Sequence, residues 1–118
     1  MKILFIEDDV EVAQLLADVF REEGHETRVA HSGEDGLAAI GRERPDVVFL
    51  DVRLPKMSGI TVLREIRRAD SALPVIILTG HAGPDVLAAA KRLGVTEVIE
   101  KPEVLNHFSE ALARVTGA

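Results

Sequence analysis

A chain of 118 residues, 47% hydrophobic and 29% charged, has the balance of one ordinary folded domain rather than of a disordered segment. Its formal charge of -6 argues against a general affinity for nucleic acid or an anionic membrane, since both need a positive patch. The absence of cysteine excludes disulfides, thiolate chemistry and cysteine metal sites. The start "MKILFIEDD" meets acids too early for a signal peptide, and no apolar run approaches the roughly 18 residues of a membrane span, so a soluble cytoplasmic protein is expected.

In chain order, "ILFI" (3 to 6) reads as a first strand, followed by Glu7, Asp8 and Asp9. A helical stripe of Val12, Leu16, Val19 and Phe20 comes next and should stop at Gly24. "TRVA" (27 to 30) reads as strand two, and "HSGED" as a turn and cap for a second helix carrying Leu37 and Ile40. Pro45 precedes strand three, "VVFL" (47 to 50), which ends at Asp51; Ile60, Leu63 and Ile66 mark helix three. Pro74 precedes strand four, "VIIL" (75 to 78), which runs into Thr79. Helix four carries Leu87, Ala90 and Leu93 and should stop at Gly94. Strand five, "TEVI" (96 to 99), leads to Lys101 and Pro102, then to a last helix with Leu105, Phe108, Leu112 and Val115. There are no long linkers or repeats, so residues 1–118 read as a single domain.

Strict strand–helix alternation over five units implies an α/β fold with a parallel sheet and helices on both faces. Three of the strands are apolar throughout, as strands covered on both faces must be. Ligands of such sheets bind at the carboxyl ends of the strands. Four of the five strand ends carry chemistry there: the acids at 7 to 9, Asp51, Thr79 and Lys101, while strand two belongs at the edge. Acids gathered at one rim are what a hard divalent cation needs, since magnesium takes oxygen ligands and is commonly held by one or two carboxylates.

The segments "ILFIEDD", "RPDVVFLDVRLPKMSG", "LPVIILTGH" and "EKP", in this order and at this spacing, resemble the receiver domain of two-component response regulators. The resemblance covers essentially the whole chain. It implies a flavodoxin-like sheet of strand order 2-1-3-4-5 and a signalling role without enzymatic turnover beyond magnesium-dependent self-phosphorylation and autodephosphorylation. Carried over by position, Asp51 would accept a phosphoryl group from a sensor histidine kinase or histidine phosphotransfer protein. Asp8 would bind Mg2+ directly, Glu7 through water, and Arg53 through its backbone carbonyl, with Asp51 completing the metal site. Thr79 would take a phosphoryl oxygen and Lys101 would pair with the phosphate. A downstream partner would read the face made by helix four, strand five and helix five. The chain departs from the family pattern at Val98, where many receivers carry the Tyr or Phe that swings inward on phosphorylation, and at Glu103, where Phe often follows the proline. Any switch should then rest on Thr79 and the loop "TGHAGPD".

Elementary electrostatics agrees. A phosphoryl group in transit carries spread negative charge, so its transfer needs positioning and cationic compensation. Magnesium and Lys101 would offset the repulsion among Glu7, Asp8 and Asp51. Asp9 precedes a helical stripe and reads as that helix's cap. Glu7 and Asp8 taken singly would be read as helix-dipole partners, and Thr79–Gly80 and Lys101–Pro102 as a turn and a helix start; it is their co-occurrence with Asp51 that favours a site. Pro55, Met57 and Gly59 read as loop-shaping, Arg64, Arg67 and Arg68 as a solvated helix face, and the histidines at 25, 31, 81 and 107 as surface residues. An aspartate-based phosphohydrolase would need an acid two residues after Asp51, where Arg53 stands, and a phosphate-cradling loop after strand one would be repelled by "EDD". A receiver-like interaction module that never sees phosphate, or a phosphate sink or relay, stays open.

Overall fold

Strands without polar residues at positions 3–6, 47–50 and 75–78 can bury both their faces only inside a sandwich of helices. The computed structural model describes residues 1–80 and 83–100 and shows that sandwich. In chain order the elements are β1 (Lys2–Ile6), α1 (Val10–Glu22), β2 (Glu26–Ala30), α2 (Gly33–Arg42), β3 (Val47–Asp51), α3 (Gly59–Ala69), β4 (Val75–Thr79), α4 (Pro84–Arg92) and β5 (Glu97–Glu100). All four pairings are parallel and the strands lie in the order 2-1-3-4-5. The expected last helix, with Leu105, Phe108, Leu112 and Val115, lies outside the described residues, as do His81 and Lys101. Among the described residues no helix is long and apolar enough to cross a membrane.

The two-residue period of each strand sorts the core into two layers. Ile3 and Phe5 join Phe49, Ile76 and Leu78 under Leu16, Ala17 and Phe20 of α1. The rings of Phe5, Phe20 and Phe49 meet at centroid separations of 5.1 to 5.4 Å. On the opposite face Leu4, Ile6, Val48, Leu50 and Ile77 pack with Ala39 of α2, Val62, Leu63 and Ile66 of α3, and Ala90 of α4.

Local signals place the helix ends. Asp9 accepts hydrogen bonds from the N–H groups of Glu11 and Val12 at 3.1 Å, as a cap should. Ser32 and Ser58 do the same for α2 and α3. Helices α1 and α4 both end in a left-handed glycine, Gly24 at φ +94° and Gly94 at φ +72°. In each, the next residue's N–H bonds back to the third-last carbonyl, His25 to Phe20 and Val95 to Ala90, both at 3.2 Å.

Leu37 and Ile40 of α2 pack against the core as expected, the structure adds the glycines of that helix, and two expectations need correction. Helix α2 is buried chiefly through Gly33, Gly36 and Ala39, with Leu37 and Ile40 flanking. It lies so close to the sheet and α3 that a Cβ on Gly33 would meet Val62 at 2.5 Å, and one on Gly36 would run into Ile6. His25 is half-buried against the Phe20 ring, at a centroid separation of 6.1 Å, and burial lowers its pKa. Arg67 is no solvated arginine. Its guanidinium donates to the Leu93 and Leu73 carbonyls at 2.7 Å, to Gly94 at 3.0 Å and to Asp70 at 3.2 Å. It thereby satisfies carbonyls at the end of α4, where helices leave them without partners, and places a cation at the negative end of that helix. Arg67 stands four residues past buried Leu63, so helical spacing puts it beside the packed stripe, whereas Arg64 and Arg68 point to solvent.

This clamp yields a prediction. Arg67→Met should lower the unfolding free energy in urea by at least about 1.5–3 kcal/mol, the range for one hydrogen bond to a charged group. Arg64→Met and Arg68→Met should change it by no more than about 0.5 kcal/mol. Equal losses in all three variants would mean that the clamp contributes nothing.

Candidate functional site

The strand order reverses between β1 and β3: from β1 the chain moves outward to β2, then crosses back to β3 on β1's other side. No helix can cover the sheet's rim at such a switch point, and a crevice opens at the carboxyl ends of the two strands. The register pairs Ile6 with Leu50, so the next residue on each strand, Glu7 and Asp51, stands at that crevice.

Glu7 stays attached to the ladder, its N–H donating to the Ala30 carbonyl at 2.9 Å, and it is fully buried. The backbone then turns into α1, which leaves Asp8 exposed at the rim and commits Asp9 to the cap. Asp51 closes β3 and is 2% exposed; its Oδ1 accepts a hydrogen bond from the Arg53 N–H at 3.0 Å, which holds the carboxylate in place. One carboxylate oxygen from each of Glu7, Asp8 and Asp51 lies within 4.8 Å of the others. Thr79 closes the neighbouring strand β4, also buried, and its Oγ1 has no hydrogen-bond partner among the described residues.

After Asp51 the chain turns before it enters α3. Met57 N–H donates to the Pro55 carbonyl at 2.7 Å across Lys56, whose φ of +66° makes a γ-turn. Gly59 then brings the start of α3 onto the strand end: its N–H bonds Val52 O at 2.8 Å, and a Cβ there would lie 2.6 Å from Val52 Cα and collide with the Asp51 carbonyl. The loop-shaping expected of Pro55, Met57 and Gly59 thus has a physical content, with Gly59 required by contact. A cleft of about 170 Å3 is lined by Ser32, Gly33, Glu34, Pro55, Lys56 and Met57, and Glu7, Asp8 and Asp51 are not part of its lining.

The donor set is entirely hard oxygen, with three carboxylates in reach of one point, which suits a small divalent cation and not a soft one. Among the described residues the buried Thr79 hydroxyl beside the Asp51 strand has no partner, which leaves it able to bond a ligand. Of the residues expected at the site, Glu7, Asp8 and Asp51 come together, Thr79 and Arg53 stand at the same rim, and Lys101 lies outside the described residues. The sequence reading missed two backbone contributions, the Arg53 N–H on Asp51 and a hydrogen bond from the His31 ring to the Glu7 carbonyl. Side-chain identities carry no signal for either.

The chain is 34% identical over 113 residues to the sporulation initiation phosphotransferase F of Bacillus subtilis, covering 96% of this chain and 91% of that one. Several further relatives are longer, and the chain spans between 24% and 44% of their length. Among solved structures, a response regulator receiver domain protein from Clostridium thermocellum superposes with a TM-score of 0.91 at 33% identity, covering 98% of this chain and 94% of that one. The response regulator TrrA of Thermotoga maritima, solved in complex with Mg2+–BeF, superposes at 0.87 with 26% identity, covering 97% of both chains. The model of the response regulator receiver domain matches residues 3–113, and the chain belongs to that family.

Proposed function

We propose that this domain receives a phosphoryl group on Asp51 from a phosphohistidine of a sensor kinase or phosphotransfer protein, with Mg2+ held at the acid cluster. The observation that carries the reading is the convergence of Glu7, Asp8 and Asp51 within 4.8 Å beside the buried hydroxyl of Thr79. In the transfer, an Asp51 carboxylate oxygen bonds to phosphorus while the P–N bond to the imidazole breaks, and the bond's electron pair leaves with the ring nitrogen. The Arg53 N–H on Oδ1 orients the attacking carboxylate. Thr79 Oγ1 donates to a phosphoryl oxygen, and Lys101 compensates the charge that the group brings. Asp8 and Asp51 would hold the cation directly and Glu7 through water, with the Arg53 carbonyl completing the set; when bound, the ion supplies the positive charge that the acids and the phosphoryl oxygens share. Residues 1–118 are read as one cytoplasmic module of this kind, with the α4–β5 face and the last helix expected from the sequence offered to a downstream protein.

A phosphorelay role is the second reading. The Bacillus relative is named a phosphotransferase, and this chain covers 91% of it. At position 98 the chain has a half-buried valine on β5, which has too few torsions and too little volume to act as an aromatic lever.

Three outcomes test these readings. Acetyl phosphate with Mg2+ should add one phosphoryl mass to the intact protein and none to Asp51→Asn; wild-type labelling of that variant would remove the assignment. Mg2+ should raise the melting temperature, since a ligand at a hundredfold excess over its Kd stabilises the folded state by about 2.7 kcal/mol. Asp8→Ala should lose that response yet melt no lower than wild type without metal, because the cap of α1 is Asp9. A wild-type melting temperature indifferent to millimolar Mg2+ would sink the metal site. Finally, a phosphoryl mimic should shift backbone amides from residue 79 through α4 and β5 if the domain signals by that face. Shifts confined to residues 7, 8 and 51 to 53 would identify a relay or sink instead.

A further inference from the structure

Strand β2 sits at the sheet's edge, and the residues after it read as a turn and a cap, with no part in the chemistry. Its carboxyl end nevertheless grips the acid cluster from behind. The Glu7 N–H donates to the Ala30 carbonyl at 2.9 Å, and the Glu7 carbonyl lies 3.0 Å from Nδ1 of His31, the next residue. A carbonyl oxygen can only accept, so His31 Nδ1 carries the hydrogen. The neutral Nδ1–H tautomer and the imidazolium both have it, so the bond persists in either state of the ring.

The Glu7 carbonyl belongs to the same rigid plane as the Asp8 N–H. Holding that oxygen therefore fixes the peptide that delivers Asp8 to the rim. Asp8 needs this: it is exposed, and no hydrogen bond holds its side chain among the described residues. Like charges at Glu7 and Asp51 also push it away from the position a cation requires. Among the described residues, the turn from β1 into α1 is held on its far side by the Asp9 cap.

We propose that His31 is a positioning residue for the acid cluster, setting divalent-cation affinity by donating from Nδ1 to the Glu7 carbonyl and thereby fixing the Glu7–Asp8 peptide. This rests on reading the cluster as a cation site.

The test is a titration with magnesium chloride alone at constant pH, followed through the backbone amide shifts of residues 7 to 9 and 51 to 53, for wild type, His31→Leu and His31→Asn. Asparagine puts a donor nitrogen where Nδ1 stands, and leucine keeps bulk without one. His31→Leu should weaken Mg2+ binding about threefold to tenfold, the worth of one hydrogen bond, while His31→Asn should stay within about twofold of wild type. Ring 15N shifts of metal-free wild type should report the hydrogen on Nδ1. Unchanged affinity in His31→Leu overturns the inference. So does equal weakening in both variants, since that would show a role of the ring's packing alone. Melting without metal keeps the variants comparable, with a drop of no more than a few degrees expected for His31→Leu; if it unfolds, the His31→Asn affinity and the ring shifts decide. A wild-type protein that binds Mg2+ without perturbing residues 7, 8 and 51 would instead overturn the cation site itself, and this inference with it.

Discussion

Three carboxylates held within 4.8 Å of one another, two of them buried, are a standing electrostatic cost that no chain of this size adopts without a structural reason. Here the reason is topological. The apolar strands β1, β3 and β4 must be central, because each is buried on both faces, and the reversal of strand order between β1 and β3 sets their ends side by side. The hydrophobic sandwich thus supplies the free energy that holds like charges together, and the site inherits its geometry from the register of Ile6 against Leu50.

Everything around the cluster limits how far it can relax. Glu7 is kept on the sheet by the Ala30 carbonyl, Asp9 is engaged by α1, and Asp51 is braced by the Arg53 N–H. Gly59 lets α3 approach Asp51 more closely than any side chain would permit, with a γ-turn at Lys56 in the intervening loop. Carboxylates gathered in this way suit a small divalent cation.

The other end of the sheet is tied down differently. Arg67 joins the end of α3 to the last carbonyls of α4, so α4 is anchored at its carboxyl end, where Ala90 is its one buried residue. At its amino end the cap is Gly83, with no side-chain hydrogen bond, followed by Pro84. Among the described residues, side-chain hydrogen bonds therefore hold α4 at its carboxyl end and none caps its amino end.

By itself the sequence determined the strands, the caps at Asp9 and in "HSGED" and the glycine stops, because each depends on neighbours within a turn or two: the apolar run of a strand, a short polar side chain before a helix, a residue free to take positive φ. It also placed acids, a threonine and a lysine after strand ends, and the structure gathers Glu7, Asp8 and Asp51 as that placement implied. Its errors and omissions share one cause. Burial of α2 through Gly33 and Gly36, the half-buried His25, the Arg67 clamp and the His31 bond to the Glu7 carbonyl all depend on what an element distant in sequence presents at that point, and often on its backbone atoms. Leu93 is 26 residues from Arg67 and Glu7 is 24 from His31. Every residue presents the same carbonyl whatever its side chain, so only the tertiary structure decides which carbonyls meet Arg67 and His31.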